Sequence, residues 1–146
     1  MADGTASAQE ILDGYGIACD ELASLTEEHD RIISALYSIT SDPSSSGGGS
    51  SADKLGGGVA SLVDLCKRID AEIEHYISAR DRAVSLVRAV MRENIQLGQC
   101  LHYRYIDRDR PSAAAYRMGY SDRNYRRVHI RAMELAREII DREAAR

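Results

Sequence analysis

Residues 111–140 read PSAAAYRMGYSDRNYRRVHIRAMELAREII, a short alanine-containing segment followed by Gly119 and a longer arginine-rich segment. Pro111 suits the first position of a helix, because its missing N–H is not needed there. Gly119 is the residue type that most often ends a helix in the left-handed conformation, and Ser121 is a favoured N-cap. The stretch therefore predicts a short helix, a tight turn and a longer helix that begins at Asp122.

The longer helix is amphipathic. Its apolar residues recur at helical spacing and are expected to be buried: Tyr125, Val128, Ala132, Met133, Leu135 and Ala136. Its basic and polar residues are expected to face outward near the N-terminal end: Arg123, Asn124, Arg126, Arg127 and Arg131. This arrangement is typical of a helix-turn-helix. Since Arg can read guanine and Asn can read adenine in the major groove, we expect a three-helix DNA-binding module over residues 94–146.

The same stretch resembles the small phage and prophage regulators of the ArpU/RinA kind, which are similar to region four of bacterial sigma factors. The matching segments are Arg104-Tyr105-Ile106, Met118-Gly119-Tyr120-Ser121, and Arg123, Arg126/Arg127, His129 and Ala132. With a Gly-rich linker and Asp53-Lys54, the resemblance covers most of residues 45–140. It implies a phage-type transcriptional regulator that can act with RNA polymerase in a sigma-like manner.

The short helix departs from that family. The family has Trp and Ile in a W-E-x-I-A segment where this chain has Pro111, Ala114 and Ala115. Small residues reduce the core of the module, and Tyr116 is expected to compensate. The other tyrosines of this end are also expected to pack in the core before they stack on bases: Tyr103, Tyr105, Tyr120 and Tyr125.

The predicted DNA contacts fall into two groups. Four residues are expected to face base edges and phosphates: Arg123, Asn124, Arg126 and Arg127. Four others are expected to position the DNA backbone: Arg117, Tyr120, Ser121 and Arg131. The same arginines could instead form the solvated face of a plain helical bundle.

Two long amphipathic helices are predicted before this module, over residues 1–40 and 58–93. The first apolar row is Ile11, Tyr15, Ala18, Leu22, Leu25, Ile32, Leu36 and Ile39. The second is Val59, Leu62, Cys66, Ile69, Ile73, Tyr76, Ala83, Val87 and Val90. Because neither narrow stripe is stable alone in water, the helices are expected to pair as an antiparallel hairpin or coiled coil, within one chain or between two. The fold class is therefore predicted to be all-α.

The segment between these helices is rich in Gly and Ser and offers no apolar face. Residues 41–57 are therefore predicted to be a flexible linker. A phosphate-binding loop is rejected because no Gly-Lys-Ser/Thr follows the glycines.

The charge is distributed unevenly along the 146 residues. Residues 1–97 carry 8 Lys and Arg against 16 Asp and Glu, whereas residues 98–146 carry 11 against 7. An acidic body with a basic end favours a nucleic-acid partner at that end. The hydrophobic fraction of 44%, with no Trp or Phe and only two prolines, suits a helical core of aliphatic residues, Met and Tyr.

The cysteines, the histidines, the N-terminal segment and the apolar runs do not indicate a function other than DNA binding. The three widely spaced cysteines suit reduced thiols, with Cys100 packed in the core. No signal peptide is recognised, and no apolar run approaches the roughly 20 residues of a membrane span. We expect a soluble cytoplasmic protein without cofactors. His29 and His75 are interpreted as rim or seam residues and His102 as structural, so no metal site is predicted.

The sequence favours a sequence-specific DNA-binding transcriptional regulator that is not an enzyme. Its expected partners are double-stranded DNA and RNA polymerase, and a homo-oligomer through the long helices remains open. One alternative is a DNA-packaging protein like a small terminase subunit. The other is a helical protein-interaction adaptor, such as an anti-sigma protein.

Overall fold

The computed structural model describes residues 6–41 and 50–146 of the chain. The helices, in chain order, are α1 (Ala8–Ser41), α2 (Ser50–Glu93), α3 (Ile95–Leu101), α4 (Pro111–Met118) and α5 (Asp122–Ala144). A π-helical segment, His102–Ile106, continues directly from α3. No strand occurs in the described residues, which confirms the all-α fold class.

The chain divides into two compact units, of which Cys19–Tyr76 forms one. In this unit α1 and α2 pack against each other. Leu36 lies over Gly58, and the carboxylates of Glu21 and Glu72 lie within 4.8 Å of each other. Residue numbers therefore rise along α1 as they fall along α2, so the pair is an antiparallel hairpin within one chain.

The predicted linker is wrong in its second half. Helix α2 begins at Ser50 and includes residues 50–57, whereas residues 42–49 lie outside the described part of the chain. A Cβ atom at Gly58 would stand 2.6 Å from Leu36 Cδ2, so the backbone of α2 comes close to α1 just after this region. Contact with α1 can stabilise a helix in a sequence whose own helix propensity is low.

The predicted row of α2 is confirmed at six positions, which are buried or partly buried: Leu62, Ile69, Tyr76, Ala83, Val87 and Val90. It is wrong at Val59, Cys66 and Ile73, which are exposed. Leu65 is only 2% exposed, whereas Ile73 is 38% exposed and Cys66 is also exposed. The row that faces α1 steps by three and four residues through Leu62, Leu65, Ile69, Glu72 and Tyr76. Glu72 lies in this row although it is polar, and the apolar pattern therefore predicted its neighbour Ile73 instead.

The second unit comprises the chain up to Ala18 together with Ile77–Arg146. Its core is apolar, and its buried side chains include Leu12, Tyr15, Val87, Val90, Leu97, Leu101, Met133 and Ile139. Helix α3 packs mainly against α5. Gly98 allows α3 to approach the end of α2, since a Cβ there would lie 2.6 Å from the Cα of Met91.

Two local signals shape the chain between α2 and α4. Asn94 has extended backbone angles and caps α3, with its side chain accepting a hydrogen bond from the Leu97 N–H at 3.1 Å. Helix α3 widens into the π-helical segment, where the Asp107 N–H donates to the His102 carbonyl at 2.9 Å. Tyr105 within this segment is buried.

Helices α4 and α5 close a small core with α3. Cys100, Ala114, Ala115 and Tyr125 are buried together. Four partly buried side chains pack against them: Tyr103, Met118, Tyr120 and Val128. The expectation for Tyr116 is wrong, because this side chain is 86% exposed. Ala114 and Ala115 occupy the buried side of α4, and Tyr116 lies on its solvent side.

Candidate nucleic-acid interface

The connection between α4 and α5 is set by three consecutive residues. Gly119 has φ 69°, the left-handed conformation that suits glycine. The Tyr120 N–H donates to the Ala115 carbonyl at 2.9 Å. Ser121 has extended angles, and its Oγ accepts a hydrogen bond from the Asn124 N–H at 3.1 Å. These bonds fix the direction in which α5 leaves the turn.

The first turns of α5 carry an exposed surface, here called the arginine face. It consists of Arg123, Asn124, Arg126, Arg127 and Arg131, all of which are exposed. Tyr125 and Ala132, on the opposite side of the helix, are buried. Thus the sequence correctly separated the exposed and buried sides of α5.

The arginines of this face are free of internal partners. Within residues 6–41 and 50–146, none of their guanidinium groups makes an ion pair or a side-chain hydrogen bond. They are therefore available to an external anion. An arginine already paired with a carboxylate would have to give up that partner first.

Charge is also polarised along α5. Residues 122–131 hold four arginines against one aspartate, whereas residues 132–144 hold two arginines against four acidic residues. Near a helix N-terminus the dipole favours negative side chains, so helix stability does not explain a basic first half. The distribution instead concentrates positive potential where the helix begins.

Arg117, unlike the arginines of the arginine face, is paired with carboxylates of the protein itself. Its Nη1 lies 2.8 Å from Asp109 Oδ2 and 3.0 Å from Asp107 Oδ2, and its guanidinium stands 4.0 Å from the centre of the Tyr103 ring. These carboxylates, Asp109 foremost, raise the pKa of Arg117. The residue ties α4 to the preceding turn and offers less charge to DNA than the arginine face. Tyr120 is half-buried against the α3–α5 core.

A cleft of about 570 Å³ lies beside the arginine face and was not anticipated from the sequence. Three arginines contribute to its wall: Arg104, Arg110 and Arg126. Pro111 and Ser112, at the N-terminus of α4, also line it, as does Asp122. The available signal was Arg110, because a residue that immediately precedes the first helical proline lies at the helix N-terminus, where anions bind well.

His129 forms the inner wall of this cleft and is enclosed by aromatic rings. Its Nε2 lies 2.8 Å from Tyr105 Oη, and its ring stacks on Tyr125 at 6.0 Å between centroids. Burial, with a contribution from the Arg104 guanidinium, lowers the pKa of His129 below its usual value. The lowered pKa favours the neutral imidazole, and when Nε2 is unprotonated it accepts a hydrogen bond from the Tyr105 hydroxyl.

The structure confirms the prediction that Cys100 lies in the core. It has no exposed surface, and burial raises the pKa of its thiol to about 11. A thiol with such a pKa stays protonated at neutral pH and behaves as a small apolar side chain.

Comparisons of the chain with family models, curated proteins and solved structures find no match. The resemblance to ArpU/RinA-type regulators therefore stays a prediction. Within the described residues, no helix combines the length and apolar character that a membrane span requires.

Proposed function

We propose that this protein is a sequence-specific DNA-binding transcriptional regulator of phage or prophage type, with α5 as its recognition helix. The observation that carries the proposal is the arginine face: four exposed, unpaired arginines and Asn124 on the first turns of a capped helix. Arg and Asn are the side chains that read guanine and adenine most often in the major groove.

The site residues take two roles in this proposal. Arg123, Asn124, Arg126 and Arg127 lie within the first two turns of α5 and would reach base edges and adjacent phosphates. Arg131, one turn further on, would contact the backbone of the DNA. Ser121, Tyr120 and Arg117 would act mainly by fixing the turn before α5, because their side chains are already engaged within the protein.

RNA polymerase is the proposed second partner. This part of the proposal rests on the resemblance to sigma region four alone. It is tested by whether DNA-bound protein retains purified RNA polymerase on its selected duplex and fails to do so on a random duplex.

Selection of bound duplexes from a random DNA pool tests the central proposal. One sequence motif is expected to be enriched, and affinity for it should fall steeply with salt. If four or five phosphates are neutralised, the slope of log affinity against log salt should be roughly −4. Failure to enrich a motif, with no salt dependence, would favour the adaptor hypothesis.

The exposed surface of α2 favours a second class of function, which is association with other protein chains. Helix α2 exposes an apolar row that includes Val59, Val63, Cys66 and Ile73. An exposed apolar row on a long helix favours association with another helix, as in an oligomeric DNA-packaging protein or an adaptor. Light scattering coupled to size exclusion separates these classes: a ring of many subunits favours packaging, and a monomer or dimer favours regulation.

A further inference from the structure

Three side chains with metal-binding groups meet across the helical hairpin. Glu72 and His75 lie three residues apart on α2, which places them on one face of that helix. Glu21 joins them from α1. The ligand atoms of the three residues all lie within 4.8 Å of one another. No sequence motif predicts this cluster, because Glu21 is far from Glu72 and His75 along the chain.

The cluster is unfavourable without a cation. The carboxylate groups of Glu21 and Glu72 lie within 4.8 Å of each other, and two negative charges at that distance repel. Glu72 Oε1 is inaccessible to solvent and has no hydrogen-bond partner among the described residues. A buried oxygen without a partner destabilises the fold, and a bound cation would satisfy it.

The neighbouring protein charges do not replace that cation. Glu21 and Glu72 line a groove between α1 and α2, together with Glu28 and Arg68. Arg68 makes no ion pair with either glutamate. The groove also leaves space for water molecules to complete the coordination of an ion.

The donor set selects the kind of ion. Mg²⁺ and Ca²⁺ prefer oxygen ligands alone, whereas an imidazole with two carboxylates suits a first-row transition ion such as Zn²⁺. Zn²⁺ holds nitrogen and oxygen ligands at about 2.0–2.2 Å, which places tetrahedral ligands about 3.3–3.5 Å apart. The ligand atoms, which now lie within 4.8 Å of one another, must therefore approach each other by up to about 1.5 Å. The side chains of Glu21 and His75 are exposed and free to do so.

We propose that Glu21, Glu72 and His75 bind a divalent transition-metal ion of the Zn²⁺ class, which cross-links α1 to α2. The site is separate from the arginine face and does not depend on the proposed DNA-binding function. Its effect is to stabilise the hairpin, because an ion that binds the folded chain shifts the unfolding equilibrium.

Zn²⁺ and Co²⁺ titrations of the chelator-treated full chain test the proposal. At a Zn²⁺ concentration of 100 times Kd, the midpoint of thermal unfolding should rise by roughly 5–10 °C. Co²⁺ should give a visible absorption band at one equivalent per chain, a readout that does not depend on stability. Mg²⁺ should produce neither effect at the same concentration.

Substitutions decide whether the binding occurs at this cluster. Glu72→Gln and His75→Gln should each weaken Co²⁺ binding at least about tenfold. The matched controls are Glu74→Gln, an exposed neighbour on α2, and His29→Gln on α1, and both should bind like the parent. Circular dichroism shows whether each variant is folded. An unchanged Co²⁺ band in folded Glu72→Gln and His75→Gln, or no binding by the parent, would overturn the proposal.

Discussion

The helical hairpin of Cys19–Tyr76 and the C-terminal helices α3–α5 differ in how completely they bury side chains. In the hairpin, Leu65 is the one described apolar side chain that is almost wholly buried, whereas α3 alone buries Leu97, Cys100 and Leu101. Two paired helices share a single seam, and solvent reaches both of its edges. Three helices that pack around a point enclose side chains from several directions. The C-terminal helices are therefore expected to be more sensitive to changes of shape.

Truncation of leucines should reveal this difference most clearly. Leu101 has no exposed surface, so Leu101→Ala should cost toward the upper end of about 2–5 kcal/mol in free energy of unfolding. Leu65→Ala should cost toward the lower end, and Ile73→Ala less than either. Urea denaturation followed by circular dichroism measures all three. A loss for Leu65→Ala that equals or exceeds that for Leu101→Ala would contradict the comparison.

Glycine substitutions test how closely α3 approaches α2. A Cβ at Gly98 would lie 2.6 Å from backbone and side-chain atoms of Met91, so Gly98→Ala should destabilise the protein by about 1–3 kcal/mol. Gly14 in α1 is the control, because nothing lies within 4 Å of its added Cβ. Gly14→Ala should be neutral or stabilising by up to about 1 kcal/mol. Equal effects of the two substitutions in urea denaturation would mean that α3 does not approach α2 so closely.

The contrast also explains what could be predicted from the sequence. Helix ends with chemical signals were predictable: Pro111, Gly119 and Ser121 mark α4 and α5 where the structure has them. The row on α2 was predictable in part. Leu65 was missed because apolar spacing also allowed its neighbour Cys66, and only packing against α1 distinguishes the two positions. Glu72 lies in the seam, which no rule of apolar periodicity anticipates.

The candidate interface was predictable in part for the same reason. Exposure of the arginine face follows from helical spacing once Tyr125 and Ala132 are assigned to the core. The engagement of Arg117 by Asp107 and Asp109 depends on how the turn after the π-helical segment folds back. Spacing along the chain carries no information about that contact.

Acidification should weaken the C-terminal helices through His129. Because burial lowers the pKa of His129, the folded state binds this proton less readily than the unfolded state. Its contribution to stability is therefore fully present above about pH 6.5 and is lost as pH falls through that value toward the folded-state pKa. Thermal unfolding between pH 7.5 and 5 measures the loss. In His129→Gln this step should be smaller, and an identical pH profile would assign it to another group.

The DNA affinity of three arginine variants tests whether α5 reads DNA. Arg126 and Arg127 belong to the arginine face, whereas Arg137 is an exposed arginine in the acidic half of α5 and serves as the matched control. Arg142 is less suitable, because its Nη1 lies 2.8 Å from Glu93 Oε1.

The measurement is fluorescence anisotropy on the selected duplex and on a random duplex at several salt concentrations. A base-reading arginine changed to Ala should lose about 1–3 kcal/mol on the selected duplex alone. A phosphate-binding one should weaken both duplexes and reduce the salt slope by about one unit. Arg126→Ala and Arg127→Ala should each show one of these effects, and Arg137→Ala neither. If all three variants bind both duplexes like the parent, α5 does not read DNA.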